Sequence, residues 1–133
     1  MTYRWVEHTG ELELEIDAST ERGVFEDGFE AMRELLASDR TDGSPARTVA
    51  LAARDRASLL ADWLAELAFL GESEGLVPER LGSLELGAAP ARLTATVEGF
   101  RGEPPHLVKG ATYHRLTFEP TDGGWHATVV LDV

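Results

Sequence analysis

The sequence predicts an α+β fold, with two amphipathic helices packed on a mixed or antiparallel β-sheet. Three observations predict it. Glu11 to Asp17 alternates strictly, Leu12, Leu14 and Ile16 on one face and Glu11, Glu13, Glu15 and Asp17 on the other, the period-two signature of a half-buried strand. Phe25, Phe29, Met32 and Leu36 recur at helical spacing, and so do Leu59, Leu60, Trp63, Leu64, Leu67 and Leu70, which gives two helices with apolar stripes. The second half carries only strand signals and ends in a hairpin pattern.

Taken in order, Tyr3 to Glu7 reads as a short strand, broken by Thr9-Gly10. Ala18-Ser19-Thr20 supplies a helix start, with Val24 and Leu35 widening the stripe that follows. That helix ends near Ser38, before the turn Asp42-Gly43-Ser44-Pro45. Arg47 to Ala53 is a third strand, and Asp55 caps the second helix. Each helix follows a strand, and their apolar positions align in four pairs, Phe25 with Leu60 through Leu35 with Leu70. A duplicated strand–helix unit is consistent with that. Leu81 to Leu86 and Arg92 to Phe100 are further strands, and Gly99 to Pro105 is a loop punctuated by glycine and proline. Ala111 to Glu119, the turn Thr121-Asp122-Gly123-Gly124, and Trp125 to Val133 complete a C-terminal hairpin.

Composition bounds the function. The 133 residues, 43% of them hydrophobic, suffice for one core, so residues 1–133 form a single domain. A net charge of -12 opposes autonomous binding to a phosphate backbone. The chain has no cysteine, which excludes disulfides, thiolate zinc sites and cysteine nucleophiles and suits a reducing compartment. No cationic-then-apolar segment and no bilayer-length apolar run appears in the sequence, so no secretory leader is expected. A cytoplasmic protein without membrane attachment is expected.

Chemistry concentrates in three places. Phosphate-binding, dinucleotide-binding, nucleophile-elbow and zinc-protease motifs are all missing. His8, His106, His114 and His126 match no standard zinc spacing. Glu7-His8-Thr9-Gly10-Glu11 is either a polar turn, Gly10 supplying an unusual φ, or a source of oxygen ligands for a hard cation. Asp132 lies beside the carboxylate of Val133, and two such groups at one spot repel unless a cation intervenes. Lys109 is the only lysine in the chain, followed within a few residues by Tyr113 and His114. On a regular strand, His114 shares its face with Leu116 and Phe118 and reads first as a core histidine. Glu13, Glu15 and Asp17 read as a solvated face that blunts edge pairing. We expect the three places to meet.

Four stretches then resemble one family in order and spacing. Glu7-His8-Thr9-Gly10-Glu11 is similar to the Asp-His-Thr-Ala-Asp signature of the archeases. Leu59-Leu60-Ala61-Asp62-Trp63-Leu64-Ala65-Glu66-Leu67 resembles their Leu-Leu-x-x-Trp-Leu-x-Glu-Leu helix. Lys109-Gly110-Ala111-Thr112-Tyr113-His114 resembles Lys-Ala-Val-Thr-Tyr-His, and Val129 to Val133 resembles their hydrophobic-Asp-hydrophobic end. The resemblance implies an accessory protein, not an enzyme. Its partner would be an RtcB-type RNA ligase of tRNA splicing and RNA repair, whose guanylylation and multiple turnover it promotes. It further implies a divalent cation, calcium first and magnesium or manganese as alternatives, held by Glu11, Asp132 and the Val133 carboxylate. Lys109, Glu7 and His8 would engage the partner or its nucleotide, with Tyr113 and His114 as further candidates. Both signature aspartates are glutamates here, which keep the charge and add a methylene of reach. The rival readings are a metal-dependent phosphoester hydrolase with His8 as base and a metal-free interaction or chaperone-like module.

Overall fold

The computed structural model describes residues 2–39, 43, 45–104 and 108–133. The elements run β1 (Thr2–His8), β2 (Glu11–Ala18), α1 (Glu21–Leu35), β3 (Ala46–Ala53), α2 (Arg56–Glu74), β4 (Leu76–Gly87), β5 (Ala91–Arg101), β6 (Gly110–Thr121) and β7 (Gly124–Asp132). The α+β class holds, with every strand pairing antiparallel. The strands form two sheets, not one: β1-β2-β7-β6 and β3-β5-β4. Each helix touches strands of both sheets, so the helices bridge them.

Local chemistry sets the helix ends. The Thr20 hydroxyl accepts from the Gly23 amide at the start of α1, and the Asp55 carboxylate accepts from the Ser58 amide at the start of α2. Gly75, at φ 64, closes α2 in the left-handed conformation that glycine adopts without penalty. The α1 helix stops at Leu35, three residues short of the expected Ser38. Both apolar stripes are buried, and α2 also buries Ser58, Ala61, Ala68 and Gly71 on its other sides. A helix placed between two sheets has more than one face to bury, so a single stripe understates its core.

The core centres on Trp63, Phe25, Phe29, Leu14, Ile16 and Met32. Trp63 is fully buried, and its indole N–H donates to the Phe25 carbonyl across 3.1 Å, tying α2 to α1. Gly28 lets the helices approach closely, because a Cβ there would sit 3.1 Å from Leu64. Leu14, Ile16, Ala127, Val129 and Leu131 line the helix-facing side of the first sheet.

Several expectations need correction. The fourth strand begins at Leu76, not Leu81, and runs through two register shifts. Gly99, Phe100 and Arg101 continue β5 and do not open a loop. A Cβ on Gly99 would collide with the Val77 carbonyl, so this glycine marks a close strand approach rather than a turn. The predicted turn at Asp42 and Ser44 lies outside the described residues, as do Pro105 and His106. Each helix follows a strand as expected, but β2 lies in one sheet and β3 in the other.

Candidate functional site

The three chemistry-bearing stretches meet at one end of the four-stranded sheet. Gly10, at φ 73, turns the chain from β1 into β2. β2 then pairs with β7 so that Glu11 stands directly opposite Asp132. On the other side of β7, Asp132 stands opposite Gly110, the first residue of β6. Two main-chain hydrogen bonds complete the junction: the Lys109 N–H donates to the Asp132 carbonyl at 2.7 Å, and the Val133 N–H donates to the Gly10 carbonyl at 3.2 Å. Strand pairing therefore fixes the positions of Glu11, Asp132, Val133 and Lys109.

Directly opposite residues project from the same side of a sheet, with Cβ atoms about 5 Å apart. Glu11 and Asp132 thus share the face turned away from the helices, together with His8, which pairs with Glu11. Glu7 pairs with Leu12 and belongs to the opposite face, so the N-terminal motif divides between the two sides. Gly110 leaves the flank of Asp132 open; a Cβ built there meets nothing within 4 Å. Lys109 is exposed.

The carboxylates of this face are not merely solvated. Arg4 binds Glu15 at 2.9 Å, His126 approaches Asp17 at 2.8 Å, and His8 lies 3.6 Å from Glu13. The Arg4 hydrogen bond holds the Glu15 carboxyl below its ordinary range. Arg115 reaches the remaining Glu11 and also Glu13, its Nη2 3.5 Å from Glu11 and its Nε 3.4 Å from Glu13. Every acidic residue on the outer face of β2 has a partner; Asp17 is solvated as read, its side chain 65% exposed, whereas Glu13 and Glu15 are more sheltered. Glu13 is the most sheltered of them, its side chain 15% exposed.

Arg115 is the residue that sequence reasoning missed. Between the pairs Thr112–Val130 and Thr117–Thr128, four residues of β6 oppose the single residue Val129. The Thr112 hydroxyl accepts from the His114 amide at 2.9 Å, and Arg115 sits at φ 60. The excursion breaks the alternation on which the face of His114 was assigned. His114 is exposed, not a core histidine, because the bulge lifts it out of register. Tyr113 is 57% exposed and borders an open hollow of about 500 Å³ with Ala53, Arg54, Ser58 and Asp62. Burial raises the Asp62 carboxyl, and the Tyr113 hydroxyl pulls it partly back. No local sequence signal announces a bulge of this size.

The donor set suits a hard cation. The Glu11 and Asp132 carboxylates offer the oxygen ligands that calcium, magnesium and manganese prefer. The directly apposed like charges of Glu11 and Asp132 also favour a cation between them. Among the described residues, however, no three histidine, aspartate or glutamate side chains converge as a ready-made cage.

Comparison with known proteins adds the family. The Archease protein family (MTH1598/TM1083) matches residues 3–133. The chain belongs to the archease family. The archease of Methanosarcina mazei is 32% identical over 139 residues, covering 98% of this chain and 95% of that one. The archease of Methanopyrus kandleri is 29% identical over 143 residues, covering both chains completely. The solution structure of Methanobacterium thermoautotrophicum protein 1598 superposes with a TM-score of 0.77 at 26% identity, over 98% of each chain. The crystal structure of an archease, possible chaperone, from Thermotoga maritima gives 0.68 at 20% identity over 96% of this chain and 94% of that one, a likeness of fold. The archease fold accordingly accounts for both sheets and both helices. Among the described residues, no helix is long and apolar enough to cross a membrane.

Proposed function

We propose that this archease is an accessory protein of an RtcB-type RNA ligase, promoting the ligase's guanylylation and repeated turnover. It would not be an enzyme in its own right. Glu11, Asp132 and the Val133 carboxylate would hold a divalent cation, calcium first and magnesium or manganese as alternatives. The observation that supports this reading is the register that sets Glu11 opposite Asp132, with Lys109 and Val133 tied into the same junction. When bound, the cation supplies positive charge that phosphate oxygens can share.

The chain's own residues do the rest. The β2–β7 ladder orients the two carboxylates, and a main-chain bond joins Lys109 to Asp132. Lys109 presents a compact ammonium to a phosphate or carboxylate of the partner. His8 lies on the same face for a second polar contact. Glu7, on the other face, would touch the partner only across the sheet end. The acidic chain suits a basic, RNA-binding partner.

The test is ligation by an RtcB-type ligase with GTP and manganese, with and without this protein. Conversion of single to multiple turnover, lost in Glu11→Ala, Lys109→Ala and Asp132→Ala, is the expected result. No change at saturating protein would overturn the role. A second reading, a metal-free interaction module, is favoured by the lack of a preformed cage among the described residues. A melting temperature unmoved by saturating calcium, magnesium and manganese would decide for it.

A further inference from the structure

Arg115 stands in an unusual position for a residue of an edge strand. Its strand, β6, is separated from β2 by β7. Two strand spacings amount to about 10 Å, so its side chain must cross β7 to meet the β2 carboxylates. The bulge carries it there. Four residues of β6 arch over one residue of β7, and Arg115 adopts φ 60, a left-handed conformation that a non-glycine residue adopts only at a cost. From there its guanidinium reaches Glu13 at 3.4 Å and Glu11 at 3.5 Å. Beneath the same face Val130, whose cross-strand neighbours are Glu13 and Thr112, is fully buried although it faces away from the helices.

One carboxylate is thus claimed twice, because Glu11 is both a partner of Arg115 and a proposed cation ligand. A guanidinium and a divalent cation at neighbouring oxygens of one carboxylate repel each other. We propose that Arg115 is a built-in competitor for the cation. It bridges Glu11 and Glu13 when no metal is bound, and it retreats to Glu13 alone when a divalent cation takes Glu11 and Asp132. This inference rests on the cation reading given above and adds its regulation: the arginine keeps the site assembled, weakens its affinity and makes its cation exchangeable. Asp132 has no ion-pair partner among the described residues, so the cation-free state leaves its carboxylate to attract a metal. Glu13, the most sheltered of the outer-face acids of β2, gives the displaced guanidinium a place to remain.

Calcium and manganese binding to the purified protein, measured by titration calorimetry, tests this directly. Wild type, Arg115→Gln, Arg115→Lys and Asp132→Asn are compared, with folding checked by circular dichroism. A partly exposed ion pair of this kind corresponds to roughly a 1.5- to fivefold change in affinity. Arg115→Gln should therefore bind the cation more tightly by about that factor. Arg115→Lys, which keeps a charge, should stay near wild type, and Asp132→Asn should bind weakly. In chelator, Arg115→Gln should melt below wild type, with the gap closing as cation is added. Equal or weaker binding by Arg115→Gln, with wild type still binding through Asp132, would overturn the competitor role and leave the cation site standing. No binding by either protein would overturn both.

Discussion

Glu11 and Asp132 face each other across the antiparallel pairing of β2 and β7. Like charges directly opposite in a sheet destabilise it. Arg115 offsets Glu11 but not Asp132. In chelator, Asp132→Asn should therefore be more stable than wild type, by roughly 0.5 kcal/mol. At saturating calcium or manganese the order should reverse, because only wild type gains the stability that binding adds to the folded state. Urea unfolding in both conditions measures this. A variant that is weaker in chelator and equally responsive to metal would remove Asp132 from the site.

The Val133 carboxylate can be tested without altering any side chain. The Val133 amide already bonds to the Gly10 carbonyl at 3.2 Å, so the residue is anchored. Appending one glycine after Val133 turns its carboxylate into a neutral amide and moves the negative charge outward by about 3.5 Å. The metal-free melting temperature should hardly change, whereas the rise on adding cation should shrink. An undiminished rise would show that this carboxylate is not a ligand.

How far the sequence could be read differed between regions, for physical reasons. Thr20 and Asp55 were legible as caps because capping depends on a few adjacent residues. Glu11 to Asp17 was legible because one side of that strand is buried and the other is not. The strand starting at Leu76 was hidden because Pro78, Glu79 and Arg80 interrupt the alternation and two register shifts absorb the break. The bulge from Tyr113 to Leu116 was hidden for a deeper reason. It is defined by mismatch with β7, a partner strand that the local pattern does not contain. Hence the ligand candidates on regular ladder positions, Glu11 and Asp132, could be paired by motif, while Arg115 could not be seen until the fold brought it over β7.

Trp63 offers a test of the helix junction that carries both sheets. It is fully buried, stacks on Phe29 with ring centroids 6.3 Å apart, and donates to the Phe25 carbonyl. Trp63→Phe removes the donor and leaves space where the larger ring stood. A loss of about 2–4 kcal/mol is expected, read as a lower urea midpoint with an unchanged slope. A loss below about 0.5 kcal/mol, the scale of a surface substitution, would contradict the packing described.

Asp27 makes the pH dependence informative. It lies on α1, 8% exposed, and its Oδ2 has no hydrogen-bond partner among the described residues. Burial raises its pKa above the ordinary 3.8, and Glu26 and Glu30 add to the effect. A raised carboxyl pKa means that the folded protein holds its proton more tightly than the unfolded chain does. The fold bears no penalty from this group below about pH 3.8, the unfolded value. The penalty grows as pH rises from there through the folded pKa and is complete above it. Asp27→Asn keeps the shape and removes the charge, so it should stabilise the protein at pH 7 by on the order of 1 kcal/mol. The advantage should vanish as pH falls toward the unfolded value. Urea midpoints of both proteins at several pH values between 3.5 and 7 check this, provided each is compared with wild type at the same pH. A difference that does not change with pH would assign the effect to packing; a destabilised variant at pH 7 would mean that the carboxylate is held charged by a favourable partner.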